Sequence, residues 1–166
     1  SPFTFRDQPG DYLLFLGRFT VGKGVLSAIE VARRAGMRLL LAAAENDYYR
    51  DVIAPHVDQK DVVYVGEVDR RGAAKLMGGA RALLYPIQAG EPFGLVLAEA
   101  ASCGTPVAAL DRGAVREVID QGTTGCIFET LDELVAGLPR VLALDRQKVR
   151  ARAVERTDGL VRGLLR

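Results

Sequence analysis

Eight residues, Gly17-Arg18-Phe19-Thr20-Val21-Gly22-Lys23-Gly24, place three glycines and two cations between a short apolar run and a segment of helical spacing. At a strand-to-helix turn the free backbone N–H groups and the positive end of the helix dipole point at whatever lies above, and Arg18 and Lys23 add two full charges. The chemistry that fits is the holding of a diphosphate. The same run spells the start of a P-loop (Gly, four residues, Gly, Lys), but that motif needs Ser or Thr next to hold Mg²⁺, and Gly24 stands there. The apolar run Val107 to Asp111, ending in an acid, keeps the P-loop as an alternative, and a plain tight turn with solvated cations is another.

A second run, Glu91-Pro92-Phe93-Gly94-Leu95-Val96-Leu97-Ala98-Glu99, follows the apolar run Ala82 to Tyr85. Pro92 suits a first helical position and Gly94 lets a ligand approach the backbone, so the N–H groups of Phe93, Gly94 and Leu95 are expected to face it. Glu99 sits among Val96, Leu97, Ala98, Ala100 and Ala101, where a carboxylate is costly without partners. It lies about 9 Å of helix rise beyond Phe93 and its side chain leans back toward the helix start. A carboxylate there suits a ribose diol, whose two hydroxyls can donate to its oxygens, while Glu91 suits the hydroxyls of a sugar. The plainer readings are a Glu99 satisfied by local backbone or an arginine, and a Glu91 that simply favours a helix N-terminus.

The elements that must carry these loops follow from the apolar pattern. Runs at Tyr12 to Leu16, Arg38 to Ala43, Val62 to Val65, Ala82 to Tyr85, Val107 to Leu110 and Cys126 to Phe128 read as buried strands. Helical spacing fills Gly24 to Ala35, Asp47 to Ala54, Arg70 to Gly78, Phe93 to Cys103, Ala114 to Asp120 and Leu131 to Leu144. Alternation of this kind predicts an α/β fold, a Rossmann-like doubly wound parallel sheet of about six strands with ligands at the strands' carboxyl ends. The turn-rich lead-in makes residues 1–10 a linker and 11–166 the domain, and a start at Ser-Pro-Phe without methionine reads as a piece of something longer.

Composition narrows the function classes. With 22 basic against 21 acidic residues and a net charge of +1, the chain has no global field for nucleic acid or an anionic membrane, so any anion site is local. Its apolar runs are far shorter than the roughly 20 residues of a membrane span, and no signal peptide is visible. Two cysteines, Cys103 and Cys126, form no disulfide framework or metal-spaced pair, which points to a reducing, cytoplasmic setting. The single histidine, His56, falls in a helix-to-strand connection away from both motif loops and is expected at the surface.

Taken together and in order, Gly17-Arg18 with Lys23-Gly24, Tyr64-Val65-Gly66-Glu67-Val68, the Glu91 to Glu99 block, Cys103-Gly104-Thr105-Pro106-Val107 and Gly122-Thr123-Thr124-Gly125 resemble a known family. It is the large family of retaining glycosyltransferases with two facing Rossmann-like domains, the GT-B build, often numbered family four. The resemblance covers about Asp11 to Leu144 and only the carboxyl-terminal, donor-binding domain. It implies that Arg18 and Lys23 bind the donor's diphosphate, Glu99 the ribose, and Glu91 with the amides of Phe93, Gly94 and Leu95 the transferred sugar. Gly17 belongs to the phosphate loop, and the residue matching Val68 touches the base through its main chain.

The resemblance further implies a UDP-, GDP-, ADP- or TDP-linked sugar as donor, no cofactor and no metal, consistent with the lack of an Asp-x-Asp pair. The acceptor site and a frequently catalytic histidine belong to an amino-terminal domain outside this sequence, so the isolated chain is expected to be inactive. Three departures bear on the pocket: Ala43 replaces a common glycine, Arg116 a common proline, and Arg156-Thr157-Asp158-Gly159 the usual aromatic-containing start of the last helix, which predicts an altered end. A non-catalytic nucleotide-sugar-binding module is the second reading. A sugar-nucleotide epimerase or sugar phosphorylase is the third.

Overall fold

A computed structural model describes residues 9–88 and 94–164. Six strands form one sheet: β1 (Tyr12–Leu16), β2 (Arg38–Ala42), β3 (Val62–Gly66), β4 (Ala82–Tyr85), β5 (Val107–Leu110) and β6 (Gly125–Phe128). Every pairing is parallel and the spatial order is β3-β2-β1-β4-β5-β6. The α-helices are α1 (Val25–Ala35), α2 (Arg70–Gly79), α3 (Leu95–Ser102), α4 (Val115–Val118), α5 (Leu131–Leu142) and α6 (Arg146–Leu164). This strand order reverses between β1 and β4, and a crevice opens outside the carboxyl ends of strands at such a switch point. The loops leaving β1 and β4 are the two motif runs picked out by their residues.

Strand alternation divides the core in two. Leu13, Phe15, Leu39, Leu41, Ala82 and Leu84 point to one face, where Ile29 and Val25 of α1 and Leu134, Leu138 and Val141 of α5 cover them. Leu14, Leu83, Tyr85, Val107 and Ala109 point to the other, against Met77 of α2, Leu97 and Ala100 of α3 and Val115 of α4. Both faces being covered explains why the strands are near-continuous apolar runs.

The segment Asp47 to Ala54, expected as an α-helix, is instead a widened π-helical turn at Tyr49–Ile53 followed by a 3₁₀ turn at Ala54–His56. Pro55 has no N–H to extend an α-helical ladder, and the widened turn sends both Tyr49 and Ile53 into the core. The carboxyl-terminal segment departs further from expectation. No helix is anticipated after Leu144, and the Arg156 to Gly159 departure predicts an altered end. The structure runs one helix through all of it.

That helix, α6, is mostly polar, so its periodicity is faint. Val149 and Ala153 pack on Ala101 of α3, and the rest is held by charge. Arg156 donates to the Glu117 carbonyl at 2.8 Å and to Asp120 at 2.7 Å, and Arg152 bonds the other Asp120 oxygen. Burial pushes the Asp120 carboxyl up, but these two guanidiniums outweigh it and hold the group below its ordinary range.

Arg146, at the start of α6, is 8% exposed and donates to the Ala80 carbonyl at 3.0 Å, the Gly78 carbonyl at 2.9 Å and the Thr105 hydroxyl at 3.2 Å. Thr105 in turn donates to the Met77 carbonyl at 2.5 Å. The Cys-Gly-Thr-Pro-Val run is therefore architecture: it closes the end of α2. Cys103 is fully buried, and burial pushes its thiol up to about 11, which suits an inert core residue. Replacing Arg146 with methionine orphans two buried carbonyls, so we expect a loss of about 3 kcal/mol in urea unfolding with an unchanged m-value.

Candidate functional site

The first motif loop leaves β1 at Leu16. Phe19, 1% exposed, anchors it in a stack of rings, 6.2 Å from Phe15, 5.4 Å from Tyr49 and 5.7 Å from Tyr64 between centroids. The Asn46 side chain ties the loop to the neighbouring one: its amide donates to the Phe19 carbonyl at 2.9 Å and its oxygen accepts the Tyr49 N–H at 2.8 Å. Val21–Lys23 make one 3₁₀ turn, and Gly24 joins it to α1 in a left-handed conformation.

Gly24 is also where the two motif loops meet. A Cβ added there would lie 2.0 Å from the Pro86 carbonyl oxygen. The Gln88 N–H donates to the Gly22 carbonyl at 2.8 Å and its side-chain amide to the Pro86 carbonyl at 3.0 Å. The phosphate-loop candidate is thus stitched to the loop after β4. The same contact bears on the P-loop alternative, because the Ser or Thr that motif requires at position 24 has no room for its side chain.

Gly17, Arg18 and Val68 come together around one open cavity of about 500 Å³, with Ala42 to Ala44, Asn46 and Glu67 also on its wall. Lys23 lies close enough to Arg18 to feel its charge. Burial lowers the Lys23 ammonium below the ordinary 10.5 of a lysine, and the Arg18 guanidinium lowers it further. An anion placed between the two would relieve that repulsion.

In the described residues the second motif begins at Gly94, which takes a left-handed conformation and caps α3. Glu91, Pro92 and Phe93 lie outside the described residues. Leu95 opens the helix and is 69% exposed, and the first N–H groups of a helix have no carbonyl of their own to bond. Glu99 sits half-buried one turn further on. Burial raises its carboxyl and the Arg70 charge at the start of α2 lowers it less, so the net shift is upward. Among the described residues, no hydrogen bond reaches this carboxylate.

Three contributors escape the sequence reading. Asn46 and Glu67 line the cavity, and Arg70 faces Glu99. Glu67 stands inside a quoted motif, so its position is the signal that pointed to it. Asn46 and Arg70 are marked only by the fold. His56 is found where expected, beside Arg33 at 3.3 Å and remote from both loops. Arg116, in place of a proline, grips Asp111 through two nitrogens at 2.8 to 3.0 Å and stiffens the loop after β5.

A second cavity, of about 410 Å³, lies between α3, α4 and α6 against Ala98, Ala101, Val118 and Ala153. Its one guanidinium, Arg156, is already bonded to Asp120 and Glu117, although its buried Nε is without a hydrogen bond. Nothing on its described lining offers a free charge to a phosphate, which leaves the cavity at the switch point as the candidate site.

A parallel sheet with this strand order, a glycine-rich cationic loop after β1 and a helix opening after β4 define the class: a Rossmann-like half of a GT-B fold. The model of the family "Glycosyl transferases group 1" matches residues 3–158, and the chain belongs to that family. Among curated proteins it is 30% identical over 152 residues to a phosphatidyl-myo-inositol mannosyltransferase of Mycobacterium leprae, covering 87% of this chain and 40% of that protein. It is 28% identical over 162 residues to a glycogen synthase of Thermus thermophilus, covering 92% and 37%. The chain therefore spans about 40% of such relatives' length.

Among solved structures, AviGT4, a glycosyltransferase involved in avilamycin A biosynthesis, superposes with a TM-score of 0.74 at 29% identity, covering 93% of this chain and 50% of that one. Anabaena HepE in complex with UDP-glucose superposes with a TM-score of 0.71 at 20% identity, covering 89% and 44%, and supports the fold alone. No helix among the described residues is long and apolar enough to cross a membrane.

Proposed function

We propose that this chain is the donor-binding half of a retaining glycosyltransferase, holding a nucleotide-diphospho-sugar for transfer to an acceptor carried by an amino-terminal domain. The observation that carries the reading is the cavity at the switch point with Gly17, Arg18 and Val68 on its wall and Lys23 near enough to feel the Arg18 charge. In this reading the base lies beside Val68 and the diphosphate between Arg18, Lys23 and the opening of α3. Glu99 receives the ribose hydroxyls; Glu91 and the amides of Phe93, Gly94 and Leu95 meet the sugar.

The chemistry follows from where charge develops. As the bond from the sugar's anomeric carbon to the diphosphate breaks, negative charge grows on the leaving oxygen and positive charge on the ring. Arg18, Lys23 and the opening of α3 are aimed at the first of these, and fixed donors of this kind stabilise it without reorganising. Two cations plus a helix dipole make a bridging divalent ion unnecessary in this reading. Retention then has the acceptor hydroxyl attack from the face the diphosphate leaves, with the departing phosphate taking its proton.

Glu99 separates binding from stability. Burial raises its folded pKa, the Arg70 charge lowering it less, so the ionised form is disfavoured by folding; that penalty is absent below the ordinary 4.5 and grows as pH rises toward the raised folded value. Glu99→Gln is therefore expected to leave the ligand-free melting temperature unchanged or higher at pH 7. We expect one of UDP, GDP, ADP or TDP to raise the melting temperature without Mg²⁺, a ligand at 100 times its Kd adding about 2.7 kcal/mol, and Glu99→Gln to abolish most of that rise. Stabilisation by ATP with Mg²⁺ alone, indifferent to Glu99, would overturn the assignment.

A binding module without catalysis is the second reading, since the described site residues hold a ligand without supplying an acceptor. Sugar transfer assayed on the full-length protein separates the two.

A further inference from the structure

We infer that the cavity beside Val68 selects guanine, through the Glu67 carboxylate; this rests on the donor-binding reading above. Main-chain contact beside Val68 is open to any base, so the choice among bases falls to the polar side chains of the wall, and few are free to answer to it. Both ends of the Asn46 amide are engaged, with the Phe19 carbonyl at 2.9 Å and the Tyr49 N–H at 2.8 Å. The neighbouring Tyr64 hydroxyl donates to the Ala43 carbonyl at 2.7 Å. Ala42, Ala43, Ala44 and Ala73 bring no side-chain polar atom, and Arg18 belongs to the phosphate end.

Glu67 remains. Its side chain is exposed on the cavity wall, and among the described residues it makes no hydrogen bond or ion pair. Its charge reaches the neighbouring Tyr64 phenol, which is raised by burial first, then by Glu45, Tyr49 and Glu67.

A carboxylate only accepts, and it offers two adjacent acceptor oxygens. Guanine presents two adjacent donors, N1–H and the 2-amino group, so both oxygens are used in a bidentate, charge-assisted pair. Uracil and thymine present one donor flanked by two carbonyls, which the carboxylate repels. Adenine presents one donor next to an acceptor. Hypoxanthine keeps N1–H and lacks the 2-amino group, which makes inosine diphosphate the probe for the second bond.

Isothermal titration of the 166-residue chain with GDP, IDP, UDP and ADP tests this, on the native protein and on Glu67→Gln. GDP is expected to bind about tenfold or more tighter than UDP or ADP, with IDP between. An amide offers one donor and one acceptor, matching uracil's O4 and N3–H, so Glu67→Gln should cut the GDP-to-UDP ratio by about tenfold at unchanged melting temperature. UDP or ADP binding as tightly as GDP, and lost on Arg18→Ala, would overturn guanine selection while leaving donor binding in place. A GDP preference untouched by Glu67→Gln would overturn the role of Glu67. Failure of all four diphosphates to bind would overturn both readings together.

Discussion

Gly24→Ala is expected to destabilise the chain by about 4 kcal/mol, lowering the melting temperature by about 10 °C, and to remove nucleotide binding from whatever remains folded. Two costs combine. The backbone at Gly24 is left-handed, with φ of 78°, which an L side chain adopts at a cost of roughly 1 to 2 kcal/mol. The new Cβ would also stand 2.0 Å from the Pro86 carbonyl oxygen, so backbone must move. That movement pulls apart the Gln88-to-Gly22 hydrogen bond and with it the junction of the two motif loops. Gly36→Ala is the control: its φ is 66° and nothing lies within 4 Å of its added Cβ, so only the conformational cost remains. Equal losses in the two variants would mean that the collision does not exist.

Arg18→Ala and Lys23→Ala should each weaken nucleoside diphosphate binding by about 10- to 100-fold, the worth of one charge-assisted hydrogen bond. Burial lowers the Lys23 ammonium, and the Arg18 charge lowers it further. The pH dependence has a definite sign. Lys23 loses its proton below 10.5, and only the charged form holds an anion, so affinity falls on the alkaline side at lower pH than an ordinary lysine would allow. Lys23→Arg is expected to remove that alkaline fall, because a guanidinium stays charged. Calorimetry across pH 7 to 10 checks both; retained affinity in the double variant Arg18→Ala/Lys23→Ala would exclude this loop as the phosphate site.

The turn between β1 and α1 was legible because it is spelled in glycines, and Gly24 takes the left-handed conformation such spelling favours. Strand positions were legible for a similar reason, since burial on both faces leaves apolar runs. The cavity wall was legible only in part: Gly17, Arg18, Ala43 and Val68 stand in or beside motifs, whereas Ala42 and Ala44 matter through the bulk they lack, which no local signal announces. Arg146 was invisible for a different reason: the carbonyls it bonds lie 66 and 68 residues away. In the same way α6 depends on ion pairs to Asp120 rather than on an apolar stripe, so its periodicity understates it. The widened turn at Tyr49–Ile53 departs from an α-helix although its apolar spacing suits either form, and Pro55 alone signals the break. Glu91 and Phe93 remain sequence-based assignments, outside the described residues.

The most direct measurement is a titration of the ¹⁵N-labelled chain with GDP and with UDP, followed by amide chemical shifts. Donor binding at the switch point predicts saturable shifts at Gly17, Arg18, Lys23, Val68, Gly94 and Leu95, with α6 from Val149 to Thr157 unmoved. Shifts confined to Ala101, Ala153 and Thr157, around the cavity beneath α6, would contradict it.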